Sequence, residues 1–430
     1  MKILKSYSFK KWLVFGLPTL AMCVIIACSD DDGKTDDGTG GTDDDPTPET
    51  MTFTSFDPME GERGSTVELT GTSFSTTTTG NTVKFGTVDA EVTGATPTML
   101  TVTVPDNATS GTISVSTGTT TVTSTGEFNV ITGKWRQVAD FGGGPRADFM
   151  VTASETKGYA GFGIGETIEI DKKDIWIFDP NLEENGTWSL MEDEFPGSER
   201  WIPNGITIDE TLYILGGYGY VDQEADELQD FYSYTSENGW HQEVDLPGEL
   251  RRNAVVFSAN SKIYYGLGGY GDTFYTDLWA FDPDLEEWGK VSSFTGTPRE
   301  DYTYFVIDGA LYFGLGDKEG PGGMMDFWKY DSSSDVWTEL STFPGGSYGY
   351  HGAFSLNGKG YITTGYNGDE FVSTTWEYTP ENDSWTKKSS FKGEATHIQG
   401  FSIGNRGYVI GGYLPENNIS DELWEFNPEN

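Results

Sequence analysis

From residue 134 onward, short runs of alternating apolar and polar residues are separated by stretches rich in Gly, Asp and Asn. Alternation with a period of two predicts β-strands, and the separators predict turns. Six times in this region a Tyr is followed four residues later by a Gly: Tyr159/Gly163, Tyr213/Gly217, Tyr265/Gly269, Tyr312/Gly316, Tyr361/Gly365 and Tyr408/Gly412. Successive Tyr stand 54, 52, 47, 49 and 47 residues apart. A period near 50 in a strand-rich chain predicts a propeller.

Each unit carries more of the pattern. Two aromatics spaced by one residue follow the Gly: Trp176/Phe178, Tyr232/Tyr234, Trp279/Phe281, Trp328/Tyr330, Trp376/Tyr378 and Trp424/Phe426. That spacing puts both on one face of a strand. Asp-Pro or a similar turn comes next in four units, and in five a second Trp follows: Trp188, Trp240, Trp288, Trp337 and Trp385. The unit therefore reads as four short antiparallel strands, one blade. The sixth unit stops before its second Trp, while an orphan Trp135 precedes the first. The strand around Trp135 is expected to complete the last blade and close six blades into a ring, leaving no open edge. The repeated aromatics are read as packing between blades.

With three aromatic positions and one Gly recurring in every unit, this region resembles the kelch repeat. The family's double Gly is read at Gly216-Gly217, Gly268-Gly269 and Gly411-Gly412, and is replaced in its first position by Phe162, Leu315 or Thr364 elsewhere. Ahead of it, residues 51–130 are rich in Thr and Val, with alternating runs at Thr66–Thr70, Thr82–Phe85 and Leu100–Val104. The segment Phe56-Asp57-Pro58, Gly61, Gly64, Val67, Gly71, Phe74, then Val83-Lys84-Phe85-Gly86 and Val104-Pro105, resembles an IPT/TIG domain. The fold class expected is all-β: an immunoglobulin-like sandwich over 51–130, then a six-bladed kelch propeller over 131–430.

The N-terminus reads as an export signal. Lys2, Lys5, Lys10 and Lys11 precede an apolar run from Trp12 to Ala27, which ends Ile25-Ile26-Ala27-Cys28. This resembles a bacterial lipobox and implies cleavage of residues 1–27 and lipidation of Cys28. Residues 28–50 hold nine acidic residues against Lys34 alone, with Gly, Thr and Pro, and read as an extended, disordered tether. Acids beside a lipidated Cys resemble a surface-export signal, so the expected place is the outer face of a bacterial outer membrane, with membrane attachment by the lipid alone. The second Cys, Cys23, falls within the signal, so no disulfide is expected.

Charge narrows the partners. The chain has 26 basic and 68 acidic residues, a formal −42, and without residues 1–27 the figure becomes −46. Nucleic acid is excluded as a partner by such a field. The eight Arg are unevenly spread: Arg146, Arg200, Arg251, Arg252 and Arg299 stand where the chain enters an inner strand, with Glu300 beside the last. Tyr350, His351 and His397 hold the matching stretches of the fifth and sixth units. Antiparallel order places these entries on the same face as the loops between second and third strands, where Tyr218, Tyr270, Tyr366 and Tyr413 follow the Gly. The expected ligand site is thus one mouth of the central channel, lined by Arg suited to a carboxylate or sulfate and by Tyr that stack on sugar rings. Each Arg taken singly also fits a structural role, bonding loop carbonyls or nearby acids, and each Tyr fits turn packing.

No catalytic motif stands out. His241, His351 and His397 are the only His, they form no metal-ligand spacing, and no cofactor or metal is expected. The reading is a surface lipoprotein, monomeric, that binds a glycan or protein ligand. Two alternatives stay open. Six-bladed bacterial kelch proteins include sialic acid mutarotases, and that resemblance implies an acidic-sugar mutarotase using Arg251, Arg299, Glu300 and His397. The other is an envelope assembly scaffold.

Overall fold

A computed structural model describes residues 50–165, 172–221, 224–317, 323–346, 349–367 and 370–429. The expected signal, Cys28 and nearly all of the tether lie outside them. Thr52–Asp57, Thr66–Thr72, Met99–Thr103 and Val88–Ala95 pair in that order, and the sheet continues through Asn81–Phe85, Gly111–Thr117 and Thr120–Ile131 to the parallel strand Glu60–Glu62. Period-two alternation makes the core: Val67, Leu69, Val83, Phe85, Leu100, Val102, Ile113, Val115 and Phe128 point inward and are buried. This is the expected immunoglobulin-like sandwich.

Six sheets follow, five of four strands and the second of five, because both Arg200–Trp201 and Asn204–Ile208 pair along Thr211–Val221. Their inner strands are Met150–Ala153, Asn204–Ile208, Val255–Ala259, Thr303–Ile307, Gly352–Leu356 and Gln399–Ile403, and we number the blades one to six in that order. Blades one to five take their outer strands from their own unit. Blade six takes Lys134–Gln137, which pairs antiparallel with Leu423–Asn427 and sets Trp135 opposite Phe426. The closure expected from the orphan Trp is therefore present. The Trp135 ring lies 4.8 Å from Phe426, 5.2 Å from Phe391 and 6.3 Å from Phe354. Its Nε1 donates to the Ser389 carbonyl, 3.1 Å away, in blade five. One indole thus joins the first and last parts of the ring.

The apolar core is divided among the blade interfaces, as expected for units that each bury a face against a neighbour. Blades three and four share Val255, Phe257 and Tyr264 with Phe313, Tyr330 and Trp337. Blades one and six share Ala160 and Phe178 with Phe401 and Tyr408. Inner strands are also stitched sideways. Thr207 Oγ1 donates to the Ala153 carbonyl, and Ser402 Oγ to that of Ser355.

The structure corrects the register of blade three by one residue. Tyr264, opposite Phe257, corresponds to Tyr312, opposite Phe305, and to Tyr361, opposite Phe354. The repeating Gly there is Gly268, and Leu267 fills the first position of the pair. The positive φ values agree: Leu267 at 56° and Gly268 at 69° match Leu315 at 60° and Gly316 at 84°. Two adjacent tyrosines, Tyr264 and Tyr265, made the two registers indistinguishable by pattern.

Candidate functional site

Six equivalent residues surround the channel mouth, one from each blade: Asp148, Ile202, Asn253, Asp301, Tyr350 and His397. Their equivalence follows from pairing. The residue before each bridges to the loop between second and third strands, as in Ala147 with Ile164, Arg252 with Gly269, Glu300 with Asp317, Gly349 with Tyr366 and Thr396 with Tyr413. In blade two, Trp201 pairs with Tyr218 in the same way. All six have left-handed backbones, with φ between 43° and 62°. Asp and Asn enter this region more readily than most residues, whereas Ile does so rarely. The backbone turn is common to the six blades and the side chain is not.

A glycine seats each of these turns. A Cβ on Gly268 would lie 2.5 Å from the Arg252 carbonyl, and one on Gly412 would lie 2.5 Å from that of Thr396. Real side chains do not reach such distances, so the second Gly of the pair recurs in every blade while the first does not.

Four of the five expected arginines hold this frame rather than line the mouth. Arg146, Arg200, Arg251 and Arg299 are buried. Arg251 Nη1 and Nη2 each donate to Asp277 at 2.8 Å, and Nη1 also donates to the Leu267 carbonyl at 3.0 Å. Arg146 grips Asp174 and the Phe162 carbonyl, Arg200 grips Asp230 and the Gly216 carbonyl, and Arg299 grips Asp326 and the Leu315 carbonyl. Each clamp ties the entry segment to the left-handed residue before the repeating Gly and to the third strand, just ahead of it in blades one, three and four and within it in blade two. The same carboxylates accept from an indole in blades one, three and four, where Trp176, Trp279 and Trp328 donate at 2.7 Å. Burial pushes Asp174, Asp277 and Asp326 up, but the bonds from Arg and Trp outweigh it and hold all three below the ordinary carboxylate range. Fork-shaped guanidinium suits this geometry, and the pairing leaves no room for a ligand's carboxylate.

Arg252 is the one expected arginine that lines the channel, in a cavity of about 710 Å³ with Asp148, Trp201, Ile202, Asn253, Glu300, Asp301, Tyr302, Tyr350, His351 and His397. His351 Nδ1 lies 2.6 Å from the Thr364 carbonyl and so bears a proton. The Tyr350 ring stacks on His397 with centroids 3.7 Å apart, and Tyr350 hydrogen-bonds Asp301. Of the loop tyrosines, Tyr413 donates to Asp148 Oδ2 at 2.9 Å and sets its edge against His397. Tyr218 is buried with its ring stacked on Trp201, Tyr366 meets Phe371 edge-on, and Tyr270 is exposed. These three fit turn or ribbon packing and do not line the cavity.

The electrostatics centre on Asp301. Burial, with Glu300, Asp317 and Asp148 nearby, pushes its carboxyl up to about 7 against the opposing bond from Tyr350. Burial also pushes His397 below its ordinary value, opposed by Asp148, so it stays neutral near pH 7. Sequence reasoning missed Asp148, Ile202, Asn253 and Asp301. The available signal was Asp or Asn two residues after the clamp Arg in three units. Among the described residues no cluster of three or more His, Cys, Asp and Glu could hold a metal ion.

These features define a two-domain β protein, an immunoglobulin-like sandwich ahead of a six-bladed propeller. Comparisons with known proteins agree. Residues 51–130 match the IPT/TIG domain family. The chain is similar to Kelch-like protein 21 of Danio rerio, at 29% identity over 104 residues. That match takes in 24% of this chain and 16% of the relative's length, so most of the relative has no counterpart in it. A solved structure titled "Structure of YjhT" superposes with a TM-score of 0.57 at 16% identity, covering 66% of this chain and 95% of that one. At that identity the likeness concerns the fold. The propeller is kelch-like.

Proposed function

We propose that this protein is a lipid-anchored module on the outer face of a bacterial outer membrane that binds a glycan at the channel mouth of its propeller. One observation carries the binding assignment. Six positions alike in backbone carry five different side chains, Asp recurring only in blades one and four, and they enclose a cavity of a size that suits a small ligand. Packing alone would favour repetition, as the aromatic core shows. The mouth offers aromatic faces in Tyr350 and Trp201, carboxylate acceptors in Asp148 and Asp301, and donors in Asn253 and Arg252, which is the mixture that holds hydroxyl-rich rings. An array of glycans and proteins probed with the full chain tests the assignment. Saturable glycan binding lost in Tyr350→Ala and Asp301→Asn supports it, and undiminished binding in both variants removes it. Labelling with a radioactive fatty acid, lost in Cys28→Ser, and protease accessibility on intact cells test the anchor and its orientation.

A second reading, sugar mutarotation, rests on Asp301, a carboxyl that exchanges its proton near neutrality beside Tyr350 and His397. With Arg251 and Arg299 committed to Asp277 and Asp326, this reading no longer has those two arginines to hold an acidic sugar. Anomer exchange followed by NMR tests it, and rates equal with and without the protein dispose of it. A third reading, an envelope scaffold, predicts a stoichiometric protein partner in pull-downs.

A further inference from the structure

The mouth is short of positive charge. Four arginines of the entry segments are consumed in clamps, and burial keeps His397 neutral. Among the described residues lining the cavity, the remaining arginine or lysine is Arg252, which acts on Glu227 and Tyr218 of the long blade-two hairpin formed by Thr211–Val221 and Glu224–Thr235. Against it stand two carboxyl groups lining the cavity, Asp148 and Asp301. Blades one and four are three steps apart in a ring of six, so Asp148 and Asp301 occupy opposite sides of the mouth. Each accepts from a tyrosine, Asp148 from Tyr413 and Asp301 from Tyr350. Neither forms an ion pair among the described residues, whereas Asp174, Asp230, Asp277 and Asp326 all do.

Holding carboxylates in one partly buried cavity without a paired cation is unfavourable, and a ligand that brings one relieves the repulsion. Tyr350 adds an aromatic wall next to Asp301, and a cation near such a face gains further. A neutral ring would use the hydroxyl acceptors but leave the charge uncompensated. An acidic ring would add to it.

We propose that the ligand of the channel mouth is an amino sugar with a free, protonated amine, seated among Asp148, Asp301 and the Tyr350 ring. This rests on the reading of the mouth as a glycan site and names the chemistry that site selects.

Three disaccharides with one β-1,4 backbone test it by titration calorimetry on the full chain near neutral pH: the glucosamine dimer, its N,N′-diacetyl form and cellobiose. The glucosamine dimer is expected to bind at least tenfold more tightly than the other two. Asp301→Asn and Asp148→Asn should each reduce that preference at least tenfold. Both Asn replacements keep size and shape, and thermal melts establish that they fold. Should one fail to fold, the other still decides. Equal binding of the three sugars, or a preference for the acetylated form, overturns the charge assignment while leaving the glycan site standing. A preference unchanged in both Asn variants overturns the location. If none of the three binds and a lysine-rich peptide does, both the amino-sugar assignment and the glycan reading fail.

Discussion

Arg299 meets Asp326 through two hydrogen bonds of 2.6 Å, one to each carboxylate oxygen, with the arginine side chain fully out of water. The same fork recurs in blades one, two and three. Removing the arginine leaves Asp326 charged and largely buried, with the Trp328 indole as its remaining side-chain donor among the described residues. Arg299→Ala should therefore lower unfolding stability by about 3–5 kcal/mol, read from urea titrations. Arg299→Lys should recover little, because an ammonium cannot make both bonds and the carbonyl bond together.

These clamps also set the acid limit. The carboxyl groups of Asp174, Asp277 and Asp326 lie below their ordinary values in the fold. Their contribution is present above the unfolded carboxyl pKa and is lost as pH falls through the lowered folded values. Thermal melts across pH 2–5 should show a steep loss for the wild type. The loss should be shallower in Asp326→Asn, which has one such carboxylate fewer.

Asp301 works in the opposite sense. Its folded pKa, about 7, lies above the unfolded value. Its protonated form is favoured in the fold, so its contribution is complete below pH 4 and is lost as pH rises toward and through 7. Glu300, Asp317 and Asp148 sustain the rise, and the Tyr350 bond opposes it. Asp301→Asn is expected to be more stable than wild type at pH 8 by at least about 1 kcal/mol, with the gap closing by pH 4. Melts at the two pH values measure it.

Trp135 should be among the costliest single truncations. It is 5% exposed and touches three phenylalanine rings from two blades. Trp135→Ala is expected to cost about 3–5 kcal/mol in chemical denaturation and to increase proteolysis within blades five and six.

Thr364 stands where other blades place Gly, Phe or Leu at positive φ, none of them branched at Cβ. Its φ is 59°, it is buried, and its hydroxyl has no hydrogen-bond partner. Thr364→Gly should raise stability by about 1 kcal/mol, as relief of a β-branched residue in the left-handed region exceeds the entropy cost of Gly. The midpoint of thermal unfolding reports it.

Much of the fold was legible because it repeats. Six aromatic spacings fixed the blade count, and one indole out of place exposed the closure. The slip at Tyr264 and Tyr265 shows the limit of pattern: with two identical neighbours, only hydrogen-bond register decides. The arginines were legible as a set, but their partners were not. Asp277 lies 26 residues from Arg251 in a chain with 68 acidic residues, so pairing by inspection had no basis. The mouth was hardest to read. Its six residues share a backbone angle but no common side chain, Asp recurring only in blades one and four, and a motif search sees side chains first.

The sealing strand has a bearing on biosynthesis. Arg136 bonds to Glu425 across 289 positions of chain. A ribosome exposes Lys134–Gln137 long before their partners Leu423–Asn427 exist. Until those emerge, the early strand has no place in a sheet, and the large loop it must close opposes rapid pairing. Completion of the ring thus belongs to the end of translation or later. An exported chain would meet that requirement by crossing the membrane unfolded and closing only on the far side.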